Sequence, residues 1–227
     1  MKNIITALLV STFVLFVGCG KKSTQDGTSQ KEEKKEETKQ EQTKKVNEDS
    51  LRQAEENANK EKMVKFALED EKMINDEKGQ WAIEAEASST YASSKEKETP
   101  YSPWQATGKP NVENYTDDGR AWATQEADKG VEWIRLKFEK AVNAAEVRAR
   151  QNIGPGAIIK VELIDTDGKS HSVWEGIDKT KYEPNMISWF IAKFDKTPYK
   201  TKEVKLTLAT NTVPYWNEID AVQLIGE

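Results

Sequence analysis

The chain has 227 residues, of which 36% are hydrophobic and 32% charged, with one Cys, one His and a formal net charge of −5. A chain this polar cannot pack end to end, because its charged tracts bury too little apolar surface to offset their ordering entropy. A lone Cys excludes an internal disulfide framework and a cysteine zinc cage, a lone His excludes a histidine cluster, and the acidic balance excludes a protein built to grip nucleic acid.

Lys2 is followed by an apolar run from Ile4 to Val17, broken only by Thr6, Ser11 and Thr12, and then by Gly18-Cys19. A positive start, a short apolar stretch and a small residue at its end make the pattern of a secretory signal. The run falls short of the ~20 apolar residues that a spanning helix needs. With the only Cys directly after it, the segment resembles a bacterial lipoprotein signal, although Phe16 stands where such signals usually carry Leu. The resemblance implies removal of residues 1–18, acylation of Cys19 (palmitate among the chains), and a mature protein anchored in the membrane of the bacterial cell envelope. Each buried methylene contributes ~0.8 kcal/mol, so several chains hold a protein firmly.

Residues 19–49 are almost entirely Lys, Glu, Gln, Thr and Ser, with Val46 as the single aliphatic residue. Both signs of charge are mixed, as in Lys31-Glu32-Glu33-Lys34-Lys35-Glu36-Glu37, which reads as a disordered, solvated linker rather than a basic arm. Residues 50–77 change character. Ser50-Leu51-Arg52-Gln53 has the form of a capping box, and Ala, Glu, Lys and Met dominate as far as Gly79, which is expected to end the helix. Leu51, Ala54, Ala58, Met63, Phe66, Ala67, Met73 and Ile74 roughly follow helical spacing. The segment reads as an amphipathic stalk whose later half, Met63 to Ile74, packs on the domain that follows; a protein partner for helix 50–77 is the alternative.

From Trp81 onward the composition inverts, and all 7 Trp, 6 Tyr and 7 Pro lie here. Alternating apolar positions predict strands at Val131–Phe138, Ala145–Gln151, Ala157–Ile164 and Val204–Ala209, with two more at Met186–Phe194 and Glu218–Ile225. Asp167-Gly168 between two alternating runs is a hairpin signal. Many short strands without a long helix among them predict an all-β antiparallel sandwich over 81–227, with one face of each strand wet.

Several segments then carry a family likeness. In chain order they are Ala85-Glu86-Ala87-Ser88-Ser89-Thr90-Tyr91, Gln105-Ala106-Thr107-Gly108-Lys109-Pro110-Asn111, Asp118-Gly119-Arg120-Ala121-Trp122, Glu132-Trp133-Ile134-Arg135-Leu136, Gly154-Pro155-Gly156-Ala157-Ile158, Val204-Lys205-Leu206 and Asn217-Glu218-Ile219-Asp220-Ala221-Val222-Gln223-Leu224. This order resembles the galactose-binding-like superfamily, the jelly-roll sandwich of discoidin or coagulation-factor C-type modules and many carbohydrate-binding modules. Two positions depart from the pattern: the turn Ala106-Thr107-Gly108 lacks the usual acid, and Gln151 stands where related modules carry Glu.

The resemblance implies a structural calcium between the first long loop and the last strand, for which the matching residues are Asn111, Asp117, Asp118, Glu218 and Asp220; ordinary turn chemistry accounts for the same residues equally well. It also implies a non-catalytic module that recognises glycan or another envelope polymer. Up-and-down connectivity puts the loops 152–156, 176–185 and 211–216 on one rim. There Tyr215 and Trp216 beside Pro214, with Asn152 and Asn211, are the candidate sugar contacts, and Tyr91, Tyr101 and Trp104 belong to the long first connection. A structural or protein-interaction lipoprotein is the competing reading. His171, in Ser170-His171-Ser172, has no nucleophile motif around it, and no Gly-rich phosphate loop, HExxH or GxSxG occurs.

Overall fold

The computed structural model describes residues 29–94 and 96–227; the signal segment 1–18, Cys19 and the first part of the linker lie outside the described residues. The described chain divides into two units between Met63 and Val64. Among the described residues one α-helix, α1, runs Ser29–Ile74. The expected boundary at Ser50 is therefore absent, and from Ser29 onward the segment read as disordered linker is helical. No Gly or Pro falls between Gly27 and Gly79, and Lys, Glu and Gln are good helix formers. Pairs such as Arg52–Glu56 (3.8 Å) and Lys65–Glu69 (4.0 Å) add the i,i+4 support of a solvated helix.

Eight antiparallel strands follow: β1 (Gly79–Ala87), β2 (Val131–Val142), β3 (Ala144–Ile153), β4 (Ile158–Asp165), β5 (Ser170–Glu175), β6 (Ser188–Lys193), β7 (Thr201–Ala209) and β8 (Glu218–Gly226). Their spatial order is β5-β4-β7-β2-β1-β8-β3-β6. β1 joins the two layers of this jelly-roll sandwich. Its first residues pair with β8, and after a register shift between Ala82 and Glu84 the rest pairs with β2. At the far side the layers meet again, where Trp174 of β5 packs edge-on against Phe190 of β6 at 4.9 Å.

The alternation read from the sequence is present in β2, where Ile134, Leu136 and Phe138 are buried and their neighbours face outward. It fails in β8, which is buried on both faces. The loop 111–118 covers Glu218 and Asp220, and the end of α1 covers Gln223. Phe66, Asp70, Met73 and Ile74, at spacings of one and two turns, are half-buried, Gln223 Nε2 donates to Met73 O at 3.1 Å, and Arg148 of β3 pairs with Asp76 at 3.0 Å. Met63, expected to pack here, is 60% exposed. Gly79 also has a different role from the expected helix stop: the helix ends at Ile74, and a Cβ at Gly79 would stand 2.2 Å from the Gln223 side chain, so the residue is small to let β1 pass.

Candidate aromatic rim and its supports

Two loops supply the rim. In the first, Tyr91 follows β1, held by its N–H to Ala123 O (2.9 Å), and Thr90 Oγ1 donates to Tyr101 O at 2.8 Å. In the second, Trp216 precedes β8 and donates Nε1–H to Thr124 O at 3.0 Å. The rings converge: Tyr91 lies edge-on to Tyr101 at 5.2 Å and to Trp216 at 5.7 Å. Tyr91 is 56% and Tyr215 77% exposed. Tyr101 (φ 63°) and Tyr215 (φ 72°) both occupy the left-handed region, which costs a bulky residue of order 1–3 kcal/mol and persists only where the surroundings impose it.

The third expected partner of the rim is also in place. Asn217 Nδ2 donates to Gly154 O at 2.7 Å, and a Cβ at Gly154 (φ +56°) would stand 2.4 Å from Trp216 O, so only glycine fits. Tyr182, from the loop after β5, and Val213 both reach the Gly156 position at 3.6 Å. The loops 152–156, 176–185 and 211–216 therefore do meet.

Of the residues proposed for sugar contact, Tyr215, Trp216 and Asn211 belong to this end, with Asn211 exposed in the short 3-10 turn Thr210–Thr212. Asn152 does not face a ligand. It is fully buried, and its Nδ2 donates to Thr116 O (2.9 Å) and to Glu218; the polar residue braces the loop from beneath. Trp104 is elsewhere too: it sits in the 3-10 turn Pro103–Ala106, beside β1. Tyr91 and Tyr101, of the long first connection, join the rim because that connection crosses to Trp216.

The five proposed calcium ligands do not form one cradle. Asp220 is closed: Oδ1 accepts the N–H groups of Asn111 (3.1 Å) and Val112 (3.3 Å), while Oδ2 accepts Arg150 Nη1 at 2.6 Å. Asn111 meets Asp220 through its backbone N–H. Asp118 is held by Arg120 at 2.7 Å, and that hydrogen bond keeps its carboxyl below the usual range. Glu218 remains, beside Asp117. Burial, and then the Asp117 carboxyl, push Glu218 up to about 8, and Tyr101, which donates Oη–H to Asp117 Oδ1 at 2.8 Å, is raised to about 12 by that bond. The Asp117–Glu218 pair therefore lies under Tyr101, apart from the Asp220–Arg150 pair. Among the described residues, no group of three or more His, Cys, Asp or Glu is placed to hold a metal.

Arg150 fills the place between the long loop and the last strand. Its Nη1 also donates to Val112 O at 2.7 Å, and its other edge grips Asp70 of α1. His171, the one imidazole, sits on the far hairpin, 2.7 Å from Asp165 Oδ2 and stacked on Tyr199 at 4.0 Å. Among the described residues no hydroxyl or thiol hydrogen-bonds to its ring.

Residues 70–227 match the model of the family described as Pappalysin-1, SD scarf domain, C-terminal. The chain belongs to this family. The scarf domain so defined starts at Asp70, the helix residue gripped by Arg150. Among solved structures, the chain is similar to chitosan-binding module 1 of a chitosanase/glucanase from Paenibacillus sp. IK-5, at 14% identity and a TM-score of 0.45 over 63% of this chain and 94% of that one. It is similar to CpGH89CBM32-5 from Clostridium perfringens, solved with GalNAc-β-1,3-galactose, at 15% identity and a TM-score of 0.44 over 63% and 94%. It is also similar to CBM32-3 from a family 31 glycoside hydrolase of Clostridium perfringens, at 17% identity and a TM-score of 0.43 over 66% and 92%. No curated protein matches the chain.

Proposed function

We propose that this protein is a lipid-anchored, non-catalytic binding protein of the bacterial cell envelope whose scarf domain recognises carbohydrate, or another envelope polymer, through the Tyr91–Trp216–Tyr215 rim. The observation that carries this reading is Tyr215, held three-quarters exposed in a strained backbone conformation beside a cluster of interlocked aromatic rings. Tyrosine faces stack on the C–H surfaces of a pyranose, and the exposed amide of Asn211 offers both a donor and an acceptor for hydroxyls. The Asp117–Glu218 pair beneath has Glu218 only 2% exposed, which suits loop support rather than hydrolysis.

A glycan array probed with wild-type, Tyr215→Ala and Tyr91→Ala chains tests the rim. Binding lost in both variants with an unchanged melting temperature supports the reading, and equal binding by all three removes it. Anchoring is tested by palmitate labelling in a bacterial host, where Cys19→Ser is expected to abolish incorporation and release the protein from membranes. A second reading, capture of a protein partner by the helix, is favoured by one observation: Leu51, Met63, Val64 and Leu68 are 55–66% exposed. Co-purification of a partner that is lost on replacing these four by Gln, with the array blank, would select it.

A further inference from the structure

A second depression lies on the outward face of the β1–β2 ladder, built from none of the rim residues. It is a cavity of about 180 Å³ lined by Glu84, Ala85, Glu86, Trp104, Arg135 and Lys137. The strand register sets Glu84 opposite Lys137 and Glu86 opposite Arg135. Lys137 Nζ is 3.2 Å from Glu84, and Arg135 is 3.7 Å from Glu86 and 2.5 Å from Glu203 of β7. One donor is left over: Arg135 Nε is buried and donates to no acceptor. The turn Pro103–Ala106 brings Trp104 to the wall, and Lys97 Nζ lies 5.8 Å from the centre of its ring.

We propose that this groove is a second saccharide subsite, taking one neutral pyranose residue that stacks on Trp104 and hydrogen-bonds along the Glu–Arg–Lys ladder. Its ligand class is that of the rim reading, but its geometry is independent of it. Sugar hydroxyls both donate and accept, so a row alternating carboxylate acceptors with cationic donors satisfies them without separating either ion pair. The four lining charges, two Glu against Arg and Lys, sum to zero. An acidic sugar would have to compete with Glu84 and Glu86 for their own cations. The volume is below the ~300–1,000 Å³ of pockets that enclose drug-sized ligands, which limits the site to a single ring.

The test titrates the full chain with galactose, N-acetylglucosamine and, as the acidic comparator, glucuronate, following the tryptophan indole N–H resonances. The resonance that disappears in Trp104→Ala is expected to shift saturably with at least one of the neutral sugars and less with glucuronate. Glu84→Ala, which removes an outward carboxylate, is expected to weaken that response about tenfold, and Tyr215→Ala to leave it unchanged. No Trp104 shift with either neutral sugar, or a preference for glucuronate, overturns the proposal. Array binding that depends on Tyr215 while Trp104 stays silent overturns the groove and leaves the rim; a Trp104 response with a blank rim does the reverse.

Discussion

Asp70 of the helix grips Arg150 of β3 through both carboxylate oxygens, at 2.9 and 3.1 Å, and the same Asp70 Oδ1 accepts Trp189 Nε1–H at 2.8 Å. Arg150 in turn holds Asp220 of β8 and the carbonyl of Val112. One guanidinium thus ties the helix end, two strands and the long first loop together. Its side chain is 6% exposed, Asp220's is 0% and Asp70's is 16%. Arg150→Met leaves two carboxylates without their cation, and breaking such a pair costs about 3–5 kcal/mol. Asp70→Ala leaves Arg150 with two of its partners and is expected to cost less, about 1–3 kcal/mol. Urea midpoints measured on both variants check the order, and equal losses would mean that the helix end contributes as much as the buried strand pair.

Tyr215 gives a prediction of the opposite kind. It is exposed and lies at φ 72°, so Tyr215→Gly removes left-handed strain of about 1–2 kcal/mol at a smaller cost in unfolded-state entropy. The melting temperature is expected to hold or rise while glycan binding falls by about tenfold or more. A drop in melting temperature would show that the ring stabilises the loop, and the rim would lose its main support as a binding surface.

Much of this was legible beforehand, for identifiable reasons. Ile134, Leu136 and Phe138 alternate because β2 has one wet face, and a period of two is visible in any single sequence. β8 hides the same signal, since Glu218, Asp220 and Gln223 are buried polar residues whose partners (Asn152, Arg150 and Arg148) come from β3. β1 gives no strand signal: its inward residues Ala82 and Ala87 are too small to stand out, and its Gly79 has the look of a helix stop. Val213-Pro214-Tyr215-Trp216 announced the rim through a rigid Pro beside two rings. Tyr91 and Tyr101 can be assigned only to the long first connection, because their meeting with Trp216 depends on how that connection crosses the sandwich. Asn152 was misplaced because a polar loop residue reads the same whether it faces solvent or braces a buried carboxyl.

The engaged state of Asp220 and Asp118 carries a third expectation. If Arg150 already neutralises the place where a cation would sit, millimolar calcium and excess chelator are expected to give the same thermal midpoint. A ligand that binds only the folded state stabilises it by RT ln(1 + [L]/Kd), so even modest affinity would show. A rise in the midpoint with calcium that vanishes in Glu218→Gln would mean that the Asp117–Glu218 pair opens to take the ion after all.

The same pair sets a pH dependence whose sign follows from its burial. Glu218, raised from its ordinary 4.5 to about 8, binds a proton in the folded protein that the unfolded chain has already released. Its contribution is complete below the unfolded value, falls as pH rises through the window between the two, and is exhausted above the folded one. The acids held low by hydrogen bonds, Asp76 (Lys78 N–H, then Arg148), Asp118 (Arg120) and Glu162 (Lys160), act in the opposite sense but only at the acid end, since their contribution is complete once pH exceeds the ordinary carboxylate range. Between pH about 5 and about 8 the urea midpoint is therefore expected to decline, with Glu218 as the main cause. Glu218→Gln keeps a neutral side chain at every pH and is expected to flatten that decline. A slope that survives the substitution would place the titrating group elsewhere and free Tyr101 from any dependence on the carboxyl pair below it.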